Sequence, residues 1–594
     1  MCASLKAAWP RRWWPRPRGP WRPWPPNGTY GLGRDGMSTH KQYISAVVRG
    51  RRYPTIPEFL ARAVRTYGER VALRLPVSRE GRLTIQETTY RELWELGGRL
   101  ATWLSARGVE PGDRVAILAK PSRGWAVAFV AIQRLGAVAM PLDASLQVAE
   151  VRRLLTEAEA VVLFCSPDRY EELLPLTKEV PTLREVVALE EAVGALSLWD
   201  VLPEEARAPE YKPDPEDLAV LMYTSGTTGD SKGVMLCHRN ITANIEAMLK
   251  VIQVGPEDRA LTIVPWYHIY GLTASFLAPL WVGASVTYTD DYRNLIPIAQ
   301  KVGVTILIGV PKLYHGLWRR LSDNLQASLL KRALFKVAPR LLGKLIKKKL
   351  LGEQFRFFIS GGAPLHPEVA GALRRLGLGV MEGYGLTETA PVLTLSQAFD
   401  PPGTVGKPLP GVQIKIDRPD PEGYGEVLAR GPNVMLGYYK NPRRTQEAFT
   451  EDGWFRTGDV GRLDREGRLF LVGRKKNMIM LESGKKVYPE EVEWELSRIP
   501  EVAEVLVYED TSRGQPMVAA MVYPNWDLLR QQGVTELEQA RDFLWEKIKE
   551  AQQNLAPFKR LRDKESLTVV AQPFEKSTKQ EIKRHLYVNR PVRR

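Results

Sequence analysis

The chain has 594 residues, of which 44% are hydrophobic and 26% are charged, and its formal net charge is +16. This length exceeds what one simple core fills, so a globular protein of at least two domains is expected. Three cysteines exclude a disulfide framework and a cysteine-built metal cluster, which favours a reducing compartment. No apolar run approaches the roughly 18 to 20 residues that a membrane-spanning helix needs.

The positive charge is concentrated in three segments. Residues 1–36, 331–356 and 555–594 carry about +6, +8 and +7, so the rest of the chain carries about −5. A nucleic-acid-binding body would be basic throughout its folded part, and this pattern disfavours one.

Residues 1–36 consist largely of Trp, Pro, Arg and Gly and have no apolar core like that of a signal peptide. We interpret them as a disordered extension, or as upstream DNA translated from a start codon assigned too early, with Met37 as the true start. A basic, aromatic tail that binds membrane or nucleic acid is the alternative.

From residue 55 onward the sequence alternates between helical and strand patterns. Thr55-x-x-Glu58 and Thr89-x-x-Glu92 are capping boxes that predict helix starts. Alternation of this kind predicts a parallel, doubly wound sheet with helices on both faces. The predicted elements are strands Arg114–Ala119, Ala137–Met140, Ala160–Cys165, Ala260–Val264, Ala284–Tyr288 and Val304–Gly309, with helices Trp125–Leu135 and Val148–Glu157.

The stretch Tyr223–Gly233 reads Tyr-Thr-Ser-Gly-Thr-Thr-Gly-Asp-Ser-Lys-Gly. It follows a predicted strand, Leu218–Met222, and precedes a predicted helix, Asn240–Val251. Glycines let the backbone amides point inward, while the hydroxyls and Lys232 add donors and positive charge. We therefore predict a phosphate-binding loop between a strand and a helix, although it does not match the Walker pattern.

Two further strand ends carry small residues and hydroxyls. Phe355–Ser360 leads into Ser360–Leu365, and Val380–Glu382 leads into Gly383–Thr389. Open α/β sheets bind ligands at such carboxyl ends. From Gly403 the pattern changes to turns and short strands, which suggests a distorted β subdomain, and the last hundred or so residues suggest a separate α+β unit.

Residues 328–351 combine Lys331, Arg332, Lys336, Arg340, Lys344 and Lys347–Lys349 with apolar residues at helical spacing. We predict one or two basic amphipathic helices with a break at Pro339. Lysines that extend from a packed helix into solvent explain the pattern, and a helix lying on a membrane surface is the alternative.

Taken in order, these motifs resemble the adenylate-forming superfamily over roughly Tyr53 to Leu586. Four segments are most similar to long-chain acyl-CoA synthetases: Ser360–Leu365, Met381–Thr389, Val405–Gly411 and Leu436–Asp459. The resemblance implies an α/β fold with a large N-terminal domain of doubly wound sheets plus a distorted β subdomain, residues 37–473. It implies a small mobile α+β lid domain, residues 474–590, joined by a hinge at 474–476.

The resemblance also implies the residues that bind ATP. The glycine-rich loop would hold the β- and γ-phosphates, Tyr384 would stack on adenine beside the small residues after Ser360, and Asp459 and Arg474 would bind the ribose. Thr387 would bind phosphate, and Glu388 would hold Mg²⁺. The implied ATP-binding residues are Thr224, Ser225, Gly226, Thr227, Thr228, Gly229, Lys232, Gly361, Gly362, Ala363, Tyr384, Gly385, Thr387, Asp459 and Arg474.

The implied reaction has two halves, with ATP, a fatty acid and coenzyme A as substrates. The carboxylate attacks the α-phosphorus and expels pyrophosphate, and the thiol of coenzyme A then attacks the acyl-adenylate. Catalysis would be positioning and charge neutralisation by Lys232, Thr387, Glu388 and a C-terminal lysine. The resemblance implies Lys476 as hinge residue, Gly484 in the coenzyme A tunnel and His268 near the acyl pocket, although a histidine among aromatics is often a packed core residue.

The C-terminal segment Phe574–Arg584 departs from the family motif, which ends in a catalytic lysine. Alignment on Ile582 puts Glu581 at the lysine position, where a carboxylate would repel the reacting anions. Lys579 or Lys583 could replace it if the loop shifts by two residues, and we favour Lys579.

Three functions remain open from the sequence. The first is a long-chain fatty acid–CoA ligase, the second is an acyl-AMP ligase that delivers to a carrier protein, and the third is a nucleotide- and acyl-binding homologue impaired in adenylation. We expect a cytoplasmic protein with small-molecule substrates and no nucleic acid, with peripheral contact at the inner membrane face through residues 328–351 as the alternative.

Overall fold

The computed structural model describes residues 52–79, 82–207, 211–224, 231–576 and 582–588. Strands β1 to β8 are Val71–Arg79, Arg82–Thr89, Arg114–Leu118, Val138–Leu142, Ala160–Cys165, Glu185–Ala188, Leu218–Thr224 and Lys232–Cys237. Strands β9 to β17 are Arg259–Thr262, Ser285–Tyr288, Ile306–Gly309, Phe357–Ser360, Val380–Gly385, Val392–Leu395, Lys407–Pro408, Gln413–Asp417 and Gly425–Arg430. Strands β18 to β25 are Gly437–Tyr438, Phe455–Leu463, Leu469–Arg474, Ile479–Met480, Lys486–Val487, Val502–Asp510, Met517–Pro524 and Leu567–Val569.

The helices cover the faces of the sheets formed by these strands. The α-helices are Ile56–Tyr67, Tyr90–Ala106, Arg123–Arg134, Val148–Ala158, Tyr170–Leu173, Leu176–Glu179, His238–Val251, Ala278–Trp281, Leu295–Val302, Pro311–Gln326, Leu329–Val337, Pro339–Leu350, Pro367–Arg375, Pro442–Glu447, Pro489–Ser497, Trp526–Gln531 and Leu537–Ala551. A π-helical segment, Tyr270–Leu277, precedes one of them. Among the described residues, no helix combines the length and the apolar content that crossing a membrane requires.

The predicted capping boxes are confirmed. The Thr55 and Thr89 side chains each accept from the backbone amide three residues later, and Glu58 and Glu92 bond back to the amides of those threonines. Each box satisfies two amide donors that the first helical turn leaves unpaired.

Two large, mostly parallel sheets confirm the predicted α/β class. The first has the strand order β18-β8-β7-β4-β3-β5-β6, and the second has the order β15-β14-β13-β12-β11-β9-β10-β1-β2. Their central strands are parallel and buried on both faces, which explains their continuous apolar sequences. Strands β1, β2 and β6 were not predicted from the sequence.

The prediction that the glycine-rich stretch joins a strand directly to a helix is wrong. Lys232–Cys237 forms a strand that pairs antiparallel with Leu218–Thr224, so a further strand stands between the glycine-rich stretch and the helix. The apolar residues Val234 and Leu236 are fully buried, and their burial stabilises this additional strand of the sheet before the helix begins.

The distorted β subdomain is a four-stranded antiparallel sheet of order β16-β17-β19-β20. After it, residues 479–567 contribute a separate hydrophobic core around β23 and β24. This agrees with a small α+β unit, while the exact domain bounds, 37–473 and 474–590, stay a prediction. The extension 1–36 lies outside the described residues.

Candidate active site

A cleft of about 3510 Å³ lies where the carboxyl ends of the second sheet face the C-terminal unit. Its lining includes residues that directly follow β9, β11 and β12, and the last residues of β13. Glu490 and Trp494 line it from the opposite, C-terminal side. An open α/β sheet binds ligands at this edge.

Three of the predicted ATP-binding side chains meet in one hydrogen-bonded group. The Tyr384 hydroxyl donates to Asp459 Oδ2 at 2.6 Å, and Arg474 Nε lies 3.0 Å from Asp459 Oδ1. Burial, and then the negative charge of Asp459, raises the pKa of Tyr384 well above its usual value. The phenol therefore remains a donor at neutral pH, and the carboxylate is held by donors on two sides.

Strand pairing explains why these residues meet. Asp459 and Arg474 are direct cross-strand partners of β19 and β20. Residues opposite each other in an antiparallel pair have side chains within contact distance. The Asp459 amide donates to Thr457 Oγ1 at 3.1 Å, which adds a local hydrogen bond within the strand that carries the carboxylate.

A second group of side chains surrounds Glu388. The Tyr438 hydroxyl donates to Glu388 Oε1 at 2.9 Å, and Lys232 Nζ lies 5.0 Å from the centre of the Tyr438 ring. Burial and the charge of Glu388 raise the pKa of Tyr438, so its hydroxyl stays protonated. Tyr438 thus contacts both the Glu388 carboxylate and the Lys232 ammonium group.

Tyr438 was not predicted as a site residue. It lies on the two-residue strand β18, which pairs with β8 so that Tyr438 is opposite Val234. This pairing brings residues about 200 positions apart in the sequence into contact, and a strand of two residues leaves no periodic signal that could have revealed it.

The predicted phosphate loop is only partly described. Thr224 and Lys232 are opposite each other at the ends of the two hairpin strands, while Ser225, Gly226, Thr227, Thr228 and Gly229 lie outside the described residues. Ser231 accepts a hydrogen bond from Arg153 Nη2 at 3.0 Å, which ties one base of the loop to the helix Val148–Ala158.

The glycines after β12 and in β13 let the backbone pack closely against neighbouring groups of the protein. A Cβ on Gly361 would lie 3.0 Å from the Tyr270 ring, and Gly362 has a positive φ of 84° that favours glycine. A Cβ on Gly385 would lie 1.8 Å from the Pro391 carbonyl oxygen, so no side chain fits there. Gly361, Gly362, Ala363, Gly385 and Thr387 all line the cleft.

The oxygen atoms of Glu388 suit a magnesium ion that takes most of its other ligands from phosphates and water. One oxygen of Glu388 accepts from Tyr438, and the other makes no hydrogen bond with the described residues. In the part of the chain that the structure describes, no group of three or more His, Cys, Asp or Glu side chains could hold a metal alone. Mg²⁺ typically takes one or two protein carboxylates and completes its shell with water and phosphate oxygens.

The predicted acyl-pocket residue, His268, lines the cleft. Its Nε2 lies 3.9 Å from Asp143 Oδ2, and its ring centre lies 4.8 Å from that of Tyr267. The side chain is 21% exposed, so it is neither a fully packed core residue nor a surface residue. Its role in acyl binding stays a prediction.

Five leucines and one isoleucine of a single hydrophobic cluster line one region of the cleft, which we call the apolar end. Its apolar residues are Leu295, Ile296, Leu313, Leu317, Leu321 and Leu350. The helix Pro311–Gln326 also contributes polar side chains to the lining, namely Lys312, His315, Arg320 and Asn324. The sequence could not distinguish the apolar residues from ordinary core, because both are apolar at helical spacing.

Glu382 and His315 are further cleft residues that the sequence did not reveal. Burial raises the pKa of Glu382 to about 7. The positive charge of Arg374, whose Nη2 lies 3.2 Å from Glu382 Oε1, opposes this rise. Burial, with a smaller effect of His366, lowers the pKa of His315 to about 4, so the imidazole is neutral at physiological pH.

The C-terminal segment faces the cleft, but the favoured lysine is not described. Lys579 lies outside the described residues, whereas Lys583 lines the cleft with Nζ 3.7 Å from Glu575 Oε2. Lys476 lies in an exposed 3₁₀ turn that also borders the cleft. Gly484 lies in an exposed turn outside the cleft lining, so this arrangement does not bring it to the site.

Family models match both parts of the chain. The model described as AMP-binding enzyme matches residues 60–439, and the model described as AMP-binding enzyme C-terminal domain matches residues 476–590. The first model covers both large sheets, and the second covers the C-terminal unit, while Asp459 and Arg474 lie between the two matched ranges.

Curated relatives and solved structures agree with these matches. The chain is 34% identical over 462 residues to the long-chain-fatty-acid–CoA ligase FadD15 of Mycobacterium bovis, covering 71% of this chain and 74% of that one. It is 33% identical over 429 residues to a feruloyl-CoA synthase of Amycolatopsis, covering 70% and 79%. The crystal structure of ATP-bound MatB from Rhodopseudomonas palustris matches with a TM-score of 0.72 and 27% identity, covering 89% of this chain and 98% of that chain.

Proposed function

The chain belongs to the AMP-binding family of adenylate-forming acyl-CoA ligases, and we propose that it activates long-chain fatty acids. The fatty carboxylate reacts with ATP to give an acyl-adenylate and pyrophosphate. Coenzyme A then displaces AMP to give the acyl-CoA. The observation that carries this proposal is the pairing, in one cleft, of the Tyr384–Asp459–Arg474 group with the Lys232–Tyr438–Glu388 group.

The Tyr384–Asp459–Arg474 group is suited to the nucleoside. Asp459 offers carboxylate oxygens as acceptors for ribose hydroxyls, and Arg474 orients that carboxylate from the neighbouring strand. The Tyr384 ring offers a flat surface for adenine. Gly361 and Gly362 line the same cleft and have no side chain that would occupy the space for the base.

The Lys232–Tyr438–Glu388 group is suited to the triphosphate. Lys232 supplies a positive charge at the base of the glycine-rich loop, Thr387 supplies a hydroxyl, and Tyr438 orients the Glu388 carboxylate. When bound, Mg²⁺ would neutralise charge on the phosphates, and Glu388 is the residue that would hold it. The protein's own contribution to adenylation is then positioning and charge neutralisation.

The long-chain substrate is supported by the apolar end of the cleft and by the similarity to the FadD15 ligase. Similarity to a feruloyl-CoA synthase at nearly the same identity shows that related chains are named for different acids. The leucine and isoleucine side chains of the apolar end favour an aliphatic chain, because they can bury it away from water.

Coenzyme A is the proposed acceptor, and Gly484 is the proposed tunnel residue. In the present arrangement the segment around Lys583, rather than the turn at Gly484, borders the cleft. We propose that this arrangement serves adenylation and that a rotation at Lys476 brings Gly484 to the cleft for the second half-reaction. We also propose a cytoplasmic location.

The test is a panel of carboxylates from acetate to stearate, with ferulate included, assayed for pyrophosphate and AMP with and without coenzyme A. We expect pyrophosphate release to be higher with long-chain acids such as palmitate and stearate than with acetate or ferulate, and acyl-CoA to form only with coenzyme A. Adenylation without transfer to coenzyme A would favour delivery to a carrier protein. No pyrophosphate release with any acid would refute ligase activity and favour a nucleotide- and acyl-binding protein.

A further inference from the structure

Two consecutive helices, Leu329–Val337 and Pro339–Leu350, form a strongly basic surface that the proposed function does not use. We call this pair of helices the basic hairpin. It contains eight Lys and Arg residues and no acidic residue. Lys347 donates to the Phe355 carbonyl at 2.8 Å, and Lys348 pairs with Glu353 at 2.6 Å.

The remaining six cations form no salt bridge with any residue that the structure describes. They are Lys331, Arg332, Lys336, Arg340, Lys344 and Lys349, and all six are exposed. These six positive charges, which no described carboxylate pairs, repel one another, so a complementary anionic partner would stabilise this arrangement.

The same surface exposes large apolar side chains. Leu329 is 81% exposed, Val337 85%, Leu341 54% and Leu345 55%. On the second helix, the exposed positions 340, 341, 344, 345, 348 and 349 hold only leucines and cations. Leucines beside lysines and arginines on one helical face are the composition of a helix that lies at a membrane surface.

The opposite side of the hairpin is fixed to the protein. Leu342 and Gly343 are buried, and a Cβ on Gly343 would lie 1.7 Å from the Leu376 carbonyl oxygen. On the first helix, the Phe335 ring lies 6.1 Å from that of Trp318. This packing determines which face points outward, so the exposure of the leucines follows from the fold.

The basic hairpin also borders the apolar end of the cleft. Leu350, in its second helix, lines the cleft together with Leu317 and Leu321 of the helix Pro311–Gln326, which packs against the hairpin. A surface that contacts lipid would therefore lie beside the part of the cleft that the proposed function assigns to the acyl chain.

We propose that the basic hairpin docks on an anionic lipid bilayer. Its cations would face the lipid headgroups, and its exposed leucines would enter the boundary between headgroups and acyl chains. The docked protein would draw long-chain acids from the bilayer, and this second statement rests on the proposed function. A nucleic acid would satisfy the charges but would leave the leucines in water, so lipid is the better match.

Vesicle co-sedimentation tests the docking. The full-length protein is mixed with vesicles of phosphatidylcholine alone or with about 30% phosphatidylglycerol, at low and high salt. One variant carries Lys336→Gln, Arg340→Gln and Lys344→Gln, and another carries Leu341→Ser and Leu345→Ser. Each cation near an anionic surface contributes about fivefold in affinity, so the first variant should bind roughly 100-fold more weakly.

The matched control removes three exposed cations elsewhere. Arg65→Gln, Lys178→Gln and Lys212→Gln lower the net charge equally, and none of these residues forms a salt bridge with a described residue. The control should bind within about threefold of wild type, because charges beyond a Debye length of roughly 10 Å from the lipid are screened. Equal loss in both triple variants would overturn the proposal in favour of unspecific attraction.

The leucine variant separates lipid from other anions. We expect it to lose vesicle binding and to gain no affinity for duplex DNA. Wild-type binding by this variant, no binding of the wild type to anionic vesicles, or displacement of the vesicles by equimolar DNA would each overturn the proposal. Dimer formation through the hairpin would do the same, and it would appear as a concentration-dependent mass that the leucine variant abolishes without vesicles.

Turnover then tests delivery of the acid. With palmitate supplied in anionic vesicles, both hairpin variants should form acyl-CoA at least about fivefold more slowly than wild type, while octanoate in solution is used equally. Equal rates with both substrates would overturn delivery from the bilayer. Absence of AMP formation with every acid would refute the proposed function and leave the vesicle-binding result valid by itself.

Discussion

Tyr438→Phe isolates one hydrogen bond in the phosphate half of the cleft. The substitution removes the hydroxyl that donates to Glu388 Oε1 at 2.9 Å and keeps the ring that lies beneath Lys232. Because the phenol is buried, phenylalanine fits the same space without a new contact. Any change in rate therefore reports on the orientation of the Glu388 carboxylate.

The size of the effect follows from the kind of bond. A hydrogen bond to a charged group contributes about 1.5 to 3 kcal/mol, and loss of a group that orients a metal ligand typically lowers metal affinity or activity by about 10- to 100-fold. We expect kcat/KM for Mg-ATP to fall within this range, and the Mg²⁺ concentration that gives half-maximal rate to rise.

The assay is palmitate-dependent ATP–pyrophosphate exchange over a range of Mg²⁺ concentrations. Tyr439→Phe is the control, since the adjacent tyrosine makes no hydroxyl hydrogen bond with the described residues and its ring contacts Lys440 instead. An exchange rate for Tyr438→Phe within twofold of wild type at all Mg²⁺ concentrations would refute the role assigned to this bond.

Three further predictions concern other parts of the chain. Asp459→Asn should raise the KM for ATP by about tenfold or more and abolish the preference for ATP over 2′-deoxy-ATP and 3′-deoxy-ATP, whereas a retained preference would contradict ribose binding. Lys579→Ala should slow pyrophosphate exchange strongly and leave the reaction of synthetic acyl-adenylate with coenzyme A intact. The exchange rate of Lys583→Ala should stay within about threefold of wild type, and no loss in either variant would refute both assignments. Burial lowers the pKa of His238 to about 3 in the folded chain. The imidazole of the unfolded chain takes up a proton below about pH 6.5 while that of the folded chain stays neutral, so folding stability should fall by about 2 kcal/mol between pH 6.5 and 5. Urea unfolding of His238→Asn at both pH values checks this, because the variant should lack that loss.

Local pattern predicted the elements of the large sheets well. The capping boxes at Thr55 and Thr89 and the strand Ala160–Cys165 agree with the structure, because each depends on a short-range signal such as a cap or an apolar run. Strand Lys232–Cys237 was missed because glycine-rich sequence before it suggested a long loop.

The sequence by itself determined the α/β class, the order of the motifs and the residue types of the site, since these follow from local periodicity and from short motifs. Only the tertiary structure decided which side chains meet. Asp459 contacts Arg474 through the register of β19 and β20, and Tyr438 reaches Lys232 through the pairing of β18 with β8. Pairing between strands far apart in sequence depends on the whole fold, and that is the physical reason Tyr438 could be recognised only in three dimensions.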